Sequence, residues 1–546
     1  MEQDEVSEQS AVNVKQKPDV GVISGCNYWW LLAAVSLFIS AAGFVTIGVV
    51  EVFGKKDVYV YGIVFDAGST HTSMYVYNWK GGKVNGTAEV SQIHSCKATA
   101  LSKYETRPLH AGNALAGCLN QAMQWIPSED YMNTQVYLGA TAGMRLLNAS
   151  NPDASKIILH VVREKIMSYP FGFSNPNKQA RIISGEEEGT FSWVTVNYFA
   201  GTLGVKPVDQ LAAPTPITHG ALDMGGASTQ ITFTPEKPES LPSGYSNQLR
   251  LYGVNHTVYT HSYLCYGINE GLRRFQANLV MDQRNTTNTT IANPCGPKGV
   301  VETVPHDEVF EAPCTKGPHA LEAFGSEIYP TSYMDSNSNY SFVGESDSEK
   351  CEQQTQNLFN FTQRCDFPSC SFNGVYQPAV AGDFYAFSSY FYQVQFLNLT
   401  DGNETFSLEQ FRNAVTVLCN SSWDEVKTMK TDYSAALPWY CFETSFVLTI
   451  LTRGYGFNAS NWDSISFKEK VNSASLGWAL GFMINASNLI PADYPESPLP
   501  ILTMVLLLIL FFLFLVISVG FAYYAIQIRK ALQNQGYERI GSYGTV

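Results

Sequence analysis

The sequence predicts a mixed α/β fold in which two similar domains face each other across a cleft, flanked by two membrane-spanning helices. A chain of 546 residues is too long for one hydrophobic core, so at least two globular domains are expected. Two long apolar runs without a charged residue lie near its ends. Between them, one strand–loop–strand unit occurs twice, which indicates a duplicated domain.

Composition and charge limit the classes of partner. Hydrophobic residues make up 45% of the chain and charged residues 15%, which is typical of a folded protein. The formal net charge is −14, and Lys and Arg form no cluster. Nucleic acid is therefore excluded as a partner, because its binding needs clustered basic residues. A nucleotide remains compatible, since backbone N–H groups and a metal ion can hold a small anion.

The two apolar runs, residues 29–50 and 501–526, are each long enough to cross a bilayer, which takes about 20 helical residues. A cleaved signal peptide is the alternative for the first run, but its apolar core normally spans only about 7–15 residues. The sequence therefore predicts two transmembrane helices, with residues 1–28 and 527–546 as polar tails. These helices could pair within a subunit or between subunits, which leaves a homo-oligomer open.

Glycosylation signals predict the orientation of the chain. All twelve Asn-x-Ser/Thr sequons lie between the two apolar runs, and neither tail has one. Their one-sided placement predicts a membrane protein whose termini are both cytoplasmic and whose middle segment is an extracellular domain. The sequon residues are Asn85, Asn148, Asn255, Asn285, Asn288, Asn339, Asn360, Asn398, Asn403, Asn420, Asn458 and Asn485.

The cysteines support the same compartment. Ten of the eleven lie in the middle segment, and an even number in an oxidising compartment predicts five disulfides. Metal binding is the alternative, but no Cys-x-x-Cys pair is present. The ten are Cys96, Cys118, Cys265, Cys295, Cys314, Cys351, Cys365, Cys370, Cys419 and Cys441.

The repeated unit carries the first two candidate motifs. Residues 59–65 are β-branched and aromatic, as in a buried strand, and lead into residues 66–73 (DAGSTHTS). Residues 219–222 lead in the same way into residues 223–230 (DMGGASTQ). Glycine lets a backbone approach a phosphate, while N–H groups and hydroxyls donate to its oxygens. The leading aspartates offer hard oxygen ligands for Mg²⁺ or Ca²⁺, so two facing loops of this kind predict a site for a diphosphate and a metal.

Two further segments lie between these loops. Residues 137–145 (YLGATAGMR) join glycine, a hydroxyl and a cation, although an ordinary strand-to-helix turn has the same residues. Residues 183–189 (ISGEEEG) place three consecutive glutamates between apolar flanks. Such a run is usually a solvated helix start, but a carboxylate beside a buried cleft can act as a general base on water. Chemistry alone does not choose among the three glutamates.

Secondary structure elsewhere is predicted only coarsely. Residues 153–169 show apolar positions at a helical period. Residues 275–350 are rich in Asn, Thr, Pro and Ser and are predicted to be loops that decorate the second domain.

With residues 475–481 (SLGWALG) as a fifth, these segments resemble the five apyrase conserved regions of the ecto-nucleoside triphosphate diphosphohydrolases, in the same order. The resemblance covers nearly the whole chain and is closest to the cell-surface branch with two transmembrane helices, which implies that the protein lies in the plasma membrane. It implies two RNase H-like domains of the actin, sugar kinase and Hsp70 type. The first would comprise residues 57–184, completed by 467–496, and the second residues 185–466.

The resemblance also implies an activity and a metal. The family hydrolyses the terminal phosphates of extracellular nucleoside tri- and diphosphates with Ca²⁺ or Mg²⁺, by in-line attack of water. By similarity, Asp66 and Asp223 hold the metal through its waters, and Glu188 is the catalytic base. Thr141, Ser228 and Gln230 position the water. The phosphate loops comprise Gly68, Ser69, Thr70 and His71 on one side, and Gly225, Gly226, Ala227 and Ser228 on the other.

Further residues follow from the same resemblance. Tyr392 supplies one face of a nucleobase clamp, although a core aromatic is the alternative for this residue. The second face falls near Ala436, where relatives carry Tyr or Arg, or comes from Trp439. The implied disulfides are Cys96–Cys118, Cys265–Cys314, Cys295–Cys351, Cys365–Cys370 and Cys419–Cys441.

The chain departs from the family pattern at two further places, and two other functions stay open. Glu186 stands where many members have Gln, and residues 475–476 (Ser-Leu) replace a more usual Asp-Ala. A phosphotransferase of the same fold is one alternative, but the sequons and disulfides argue against a cytosolic address. A glycosylated surface receptor or adhesion protein with an inactive site is the other, and the intact acidic motifs argue against it.

Overall fold

The computed structural model describes residues 20–54, 57–203, 218–283, 289–316, 338–400, 406–429, 436–471, 474–494 and 497–541, with side chains from 27 to 534. The sequon residues Asn285, Asn288 and Asn403, most of the amino-terminal tail and the last five residues lie outside this set. The chain divides into a terminal unit, residues 1–58 with 494–546, and a central unit, residues 59–493.

The terminal unit consists of two long helices, α1 (Val20–Phe53) and α15 (Ile501–Gly541). Their segments Asn27–Phe53 and Ile501–Asn534 are long and apolar enough to span a membrane. Both helices extend beyond the predicted runs. In α15 the extension is polar and rich in good helix formers such as Ala, Leu, Gln and Arg, so the helix continues where the apolar run ends.

The two terminal helices pack against each other within one chain. Ser40 Oγ donates to the Phe511 carbonyl at 2.9 Å, and Ser518 Oγ donates to the Ala33 carbonyl at 2.7 Å. A Cβ on Gly43 would come within 2.2 Å of the Phe511 ring, so this glycine permits the close approach. Hydroxyl-to-carbonyl bonds and small residues are the ordinary means of pairing helices in lipid.

The central unit contains sixteen strands and thirteen α-helices among the described residues. The strands are β1 (Tyr59–Ala67), β2 (His71–Lys80), β3 (Ser91–Thr99), β4 (Gln135–Ala140), β5 (Ala180–Ile182), β6 (Gly220–Met224), β7 (Ser228–Phe233), β8 (Ser246–Leu251), β9 (Val254–Leu264), β10 (Thr290–Asn293), β11 (Val301–Pro305), β12 (Asn339–Gly344), β13 (Phe384–Ser388), β14 (Ile465–Phe467), β15 (Lys470–Val471) and β16 (Ala474–Ser475). The helices are α2 (Ala116–Trp125), α3 (Ala142–Ser150), α4 (Pro152–Met167), α5 (Pro176–Gln179), α6 (Gly185–Ala200), α7 (Ile268–Asp282), α8 (His306–Phe310), α9 (Ser348–Gln356), α10 (Ser389–Phe396), α11 (Leu408–Cys419), α12 (Trp423–Met429), α13 (Tyr440–Thr449) and α14 (Trp478–Ser487).

Two large sheets have the same core topology. The first has the order β3-β2-β1-β4-β5, antiparallel from β3 to β1 and parallel from β1 to β5. The second has the order β14-β13-β6-β7-β9-β8. Its strands β9, β7, β6, β13 and β14 repeat the pairing directions of the first sheet. The duplication predicted from the two strand–loop–strand units is therefore confirmed, with β1 and β6 as equivalent strands.

Two helices connect the layers behind these strands. Helix α6 packs on β6, β7 and β9, and helix α14 packs on both α6 and β1. Gly481 of α14 makes the contact possible, because a Cβ there would lie 1.9 Å from the Phe191 carbonyl oxygen. A shared apolar core that includes Val64, Trp193 and Met483 results, and it fixes the two sheets at the base of the cleft.

Of the two other secondary-structure predictions, one is confirmed and one is wrong in part. The helix predicted over residues 153–169 is confirmed as α4. The loop prediction for residues 275–350 is wrong in part, because β10, β12 and β11 form a third sheet there. Its strands are only four to six residues long, so their alternation is too brief to stand out in a polar sequence.

Disulfides and sequons are distributed over the central unit. The disulfides are Cys96–Cys118, Cys265–Cys314, Cys295–Cys351, Cys365–Cys370 and Cys419–Cys441, the same pairs that the resemblance implied. Of the nine sequon asparagines in the described residues, eight are exposed, and Asn485, in α14, is half-buried.

Candidate active site

A cleft of about 470 Å³ opens at the carboxyl ends of the equivalent strands β1 and β6. The loops after these strands form two of its walls. The starts of α3 and α14, the helix α10 and Glu188 of α6 also line it, together with side chains of β2, β3 and the β15–β16 hairpin. Ligands of open α/β sheets bind at such strand ends, because loops and helix N-termini meet there.

Asp66 and Asp223 occupy corresponding places on opposite sides of the duplication. Asp66 pairs with Ser73 in the β1–β2 hairpin, and Asp223 pairs with Gln230 in the β6–β7 hairpin. Burial, and then repulsion from Glu188, raise the pKa of Asp66 to about 8 and that of Asp223 to about 7. Three carboxyl groups therefore share one poorly solvated region.

Neutral donors partly offset this repulsion. Ser192 Oγ donates to Asp223 Oδ2 at 3.3 Å, and the hydroxyl of Ser388 also lowers the pKa of Asp223. The indole of Trp478 lowers the pKa of Asp66. Ser388 has a positive φ of 57°, a strained conformation for a non-glycine residue, which places it beside Asp223 at the start of α10.

A divalent cation fits this donor set. Carboxylate oxygens are the ligands that Ca²⁺ and Mg²⁺ prefer. Burial, and then repulsion from Glu188, raise the pKa values of Asp66 and Asp223, and a bound positive charge would favour their carboxylate forms.

The two glycine loops touch across the cleft. A Cβ on Gly226 would come within 2.7 Å of Ser69 Oγ and 2.8 Å of Asn269 Nδ2. On the other side, a Cβ on Gly143 would lie 2.8 Å from the Ser69 Cα. Glycine at both positions therefore lets the loop around Ser69 pack between the second loop and the start of α3.

Glu188 lies at the centre of a hydrogen-bond network. Its Oε2 accepts from Arg145 Nη2 at 2.9 Å and from Gln230 Nε2 at 3.3 Å. The same two donors reach Ser228 Oγ, at 3.0 Å from Arg145 and 2.7 Å from Gln230. Gln230 Nε2 also donates to Ser262 Oγ at 2.9 Å. These contacts bring Glu188 of α6 together with Ser228 and Gln230 of β7, although the two segments are far apart in the sequence.

The three consecutive glutamates have different surroundings. Ser184 and Glu187 form a capping box at the start of α6, and Glu187 also pairs with Arg181. Glu186 is half-exposed, and its charge adds to the effect of burial in raising the pKa of Glu188. Glu188 is buried, with 9% of its surface exposed, and among the three it alone lines the cleft.

Arg145 is a functional candidate that sequence reasoning left without a role. Its guanidinium contacts both Glu188 and Ser228, and it lowers the pKa of Glu188 against the effect of burial. The cation at the end of residues 137–145 was the available signal, but its partners come from other segments. Lys97 and Lys470 also line the cleft and had no signal in the sequence.

The other residues that the resemblance implied for phosphate binding also line the cleft. Thr141 is buried at the amino end of α3, and its N–H donates to the Ala67 carbonyl at 3.1 Å. Thr70 Oγ1 and His71 Nδ1 are 2.9 Å apart. Partial burial and Lys97 lower the pKa of His71, which favours its neutral form. Gly68, Gly225 and Ala227 complete the lining on the two loops.

The candidate residues for nucleobase contact lie in different surroundings. Tyr392 is 42% exposed and lines the cleft, so the core-aromatic alternative for it is wrong. Trp439 is a core residue with 8% exposure that packs edge-on against Phe342, so the expectation that it could hold the base is also wrong. Ala436 precedes it at the start of a short 3₁₀ turn and is absent from the cleft lining.

The fold has a counterpart among solved structures. The nucleoside triphosphate hydrolases of Neospora caninum align with a TM-score of 0.61 at 16% sequence identity, over 82% of this chain and 96% of theirs. At that identity the match establishes the shared fold, a mixed α/β fold of the actin-like type.

Curated relatives match at much higher identity. The chain is 41% identical to ectonucleoside triphosphate diphosphohydrolase 2 of Mus musculus, over 80% of this chain and 84% of the relative. It is 39% identical to ectonucleoside triphosphate diphosphohydrolase 1 of Bos taurus, over 90% of this chain and 93% of the relative.

Fold, cleft and relatives together define the class of the protein, a nucleoside phosphatase. The chain belongs to the GDA1/CD39 (nucleoside phosphatase) family, whose model matches residues 54–500. The two apolar helices further make it a membrane protein with a large domain between its membrane segments.

Proposed function

We propose that this protein hydrolyses the terminal phosphates of extracellular nucleoside tri- and diphosphates (ATP, ADP, UTP and UDP) to the monophosphate and inorganic phosphate, and so controls purinergic signalling. The observation that carries the proposal is the Glu188 network: a buried carboxylate, held by Arg145 and Gln230 beside Ser228, in a cleft that also contains Asp66 and Asp223. The named relatives are triphosphate diphosphohydrolases, which supports the substrate class.

Glu188 is the general base in this mechanism. Burial raises its pKa toward the operating pH, while Arg145 keeps the carboxylate form available to accept a proton. Both donors bond to Oε2, and no described residue donates to Oε1, so Oε1 can accept a hydrogen bond from the attacking water. Ser228, Gln230 and Thr141 orient that water for in-line attack on the terminal phosphorus, without a covalent intermediate.

The two loops hold the phosphate chain. Residues 68–71 and 225–228 line the cleft on its two loops, and Ser69, Thr70 and Ser228 among them carry hydroxyl groups. Preorganised donors of this kind stabilise the charge that develops on phosphate oxygens in the transition state. Close contact between Ser69 and Gly226 keeps the loops at a fixed separation.

Asp66 and Asp223 are the residues that would hold Ca²⁺ or Mg²⁺, through metal-bound waters. The bound ion supplies charge neutralisation at the phosphate oxygens. Ser192 and Ser388 orient Asp223, and Trp478 lies against Asp66.

We also propose that the central unit is extracellular and that both termini are cytoplasmic. Disulfides and exposed sequons over the central unit support this orientation, because oxidised cysteines and glycans belong to the secretory side of a membrane. The division into lobes at residues 57–184 with 467–496 and residues 185–466 belongs to the same proposal, and the duplicated sheets support it.

A substrate panel on membranes from expressing cells tests the proposal. Phosphate release from ATP, ADP, UTP, UDP and AMP is measured with Ca²⁺, with Mg²⁺ and with EDTA. Release from the tri- and diphosphates but not from AMP, abolished by EDTA and restored by either ion, is expected. A well-expressed protein that releases phosphate from no nucleotide refutes the hydrolase proposal and favours an inactive surface receptor.

A further inference from the structure

Helix α10 presents Tyr392 to the cleft while most of its other surface is buried. Tyr392 is 42% exposed, whereas Tyr390, Gln393 and Phe396 are at most 4% exposed. Tyr390 anchors one side of the helix, because its hydroxyl lies 2.8 Å from Thr229 Oγ1 on β7. The position of the Tyr392 ring therefore depends on what holds the other side of α10.

Helix α13 packs against that side, and an aromatic contact and a polar contact join the two helices. The rings of Phe396 and Tyr440 are stacked, with centroids 3.8 Å apart and an interplanar angle of 13°. Gln393, the residue directly after Tyr392, donates from Nε2 to Glu443 Oε2 at 2.7 Å. Glu443 belongs to neither the phosphate loops nor the Glu188 network and does not line the cleft.

The hydrogen bond between Gln393 and Glu443 buries polar groups at a cost in free energy, so its presence needs an explanation. Burial raises the pKa of Glu443 to about 7, and the hydrogen bond from Gln393 opposes that rise. Gln393 Oε1 is buried and has no hydrogen-bond partner among the described residues. An apolar pair would join the two helices without these penalties, but it would allow α10 to slide, whereas a short directional hydrogen bond fixes one register.

We propose that the Gln393–Glu443 hydrogen bond sets how tightly this site holds a nucleobase, because it fixes α10 against α13 and with it the ring of Tyr392. Glu443 is a positioning residue in this account, and Tyr392 is the group that touches the base. The inference rests on the proposed function, since it assigns a role within the same nucleotide site.

The test separates recognition of the base from recognition of the phosphates. Detergent-purified full-length protein with Ca²⁺ is titrated with the non-hydrolysable nucleotide AMPPNP and with imidodiphosphate, which has no base. Variants Glu443→Ala and Gln393→Ala, and the double variant, are compared with the parent. Glu349→Ala is the matched control, because Glu349 is an exposed glutamate on α9, a helix that also packs on α13.

Each single variant is expected to weaken AMPPNP binding by about threefold to tenfold, the range of one hydrogen bond that positions a ligand-binding group. The double variant is expected to weaken it no further, because both substitutions remove the same contact. The dissociation constant for imidodiphosphate and the kcat for ATP should stay within twofold of the parent. Glu443→Gln, whose amide can still hydrogen bond to Gln393, should retain most of the affinity.

Two results overturn the inference. Unchanged AMPPNP affinity in folded Glu443→Ala and Gln393→Ala proteins removes the role in base binding. Equal losses for AMPPNP and imidodiphosphate show a general loosening of the site instead. If Glu443→Ala does not fold, Gln393→Ala decides by the same comparison. A parent that binds neither probe and hydrolyses no nucleotide refutes the proposed function as well, which distinguishes the two failures.

Discussion

Arg145 provides a sharp test of the active-site account. Its guanidinium links the proposed base, Glu188, to Ser228 at distances of 2.9 and 3.0 Å. Replacement by methionine keeps the length of the side chain but removes the charge and every donor. The buried Glu188 carboxylate is then left without the cation that opposes the effect of burial on its pKa, in the same cleft as Asp66 and Asp223.

The magnitude follows from the burial of the pair. The side chains of Arg145 and Glu188 are 14% and 11% exposed, so the pair is nearly but not fully buried. Removing one partner of a buried pair costs about 3–5 kcal/mol, and partial exposure reduces this to roughly 2–4 kcal/mol. If that loss applies in the transition state, kcat/KM falls by roughly 30-fold to 1,000-fold. The pKa of Glu188 also rises further, so the remaining activity should have its optimum at higher pH.

A neighbouring ion pair supplies the matched control. Arg181 and Glu187 are joined at the start of the same helix, but their side chains are 35% and 31% exposed and lie outside the cleft. Pairs of this kind contribute about 1 kcal/mol or less. ATP hydrolysis over pH 5–9 is measured for Arg145→Met and Arg181→Met at matched surface expression. Equal losses in both variants, or an unchanged pH profile in Arg145→Met, would refute the assignment.

Two further predictions concern the loops and the carboxylates. Gly226→Ala places a Cβ 2.7 Å from Ser69 Oγ and should reduce kcat/KM at least tenfold. Gly225→Ala is the control and should reduce it much less, because the nearest atom to its Cβ is 3.7 Å away. Comparable values of kcat/KM for the two variants would contradict the close packing of the loops. Burial, and then repulsion from Glu188, raise the pKa values of Asp66 and Asp223 to about 8 and 7, so the folded protein binds protons that the unfolded chain releases. In EDTA, the contribution of these two groups to stability should be fully present below about pH 4 and should be lost as pH rises to 8. The increase in melting temperature that Ca²⁺ produces should therefore grow between pH 5 and 8, and it should be largely lost in Asp223→Asn. If the increase does not depend on pH and persists in Asp223→Asn, a metal site at these carboxylates is contradicted.

The duplicated fold was readable in the sequence for a physical reason. A buried strand needs a continuous run of β-branched and aromatic residues, and the turn that follows it here needs Asp, Gly and a hydroxyl. Both requirements are local, so residues 59–73 and 219–230 show them directly. The observed sheets place these two segments on equivalent central strands.

The arrangement within the site was not readable, because it depends on long-range contacts. The residues 186–188 differ only in what other segments bring to them: Arg181 binds Glu187, and Arg145 binds Glu188. No local pattern encodes that difference. Family resemblance, rather than a local pattern, singles out Glu188 as the general base, and its contact with Arg145 supplies a physical reason for that assignment.

The predicted end of the second transmembrane helix and the predicted role of Trp439 were wrong, because hydropathy and residue type alone do not determine them. Helix α15 continues beyond its apolar run, since helix propensity and hydropathy are separate properties. Trp439 was a reasonable partner for a nucleobase by type, but only packing decides whether a ring faces a core or a cleft. Its edge-on contact with Phe342 places it in the core.

The most direct test of the central claim is phosphate release from external ATP and ADP by intact cells that express Glu188→Gln or Glu187→Gln. Glu188→Gln removes the proposed base while keeping its shape, and Glu187→Gln changes a capping residue one position away. The account predicts a loss of several orders of magnitude for Glu188→Gln, and near-parent, EDTA-sensitive activity for Glu187→Gln. Parent-like activity in a well-expressed Glu188→Gln protein would contradict the account.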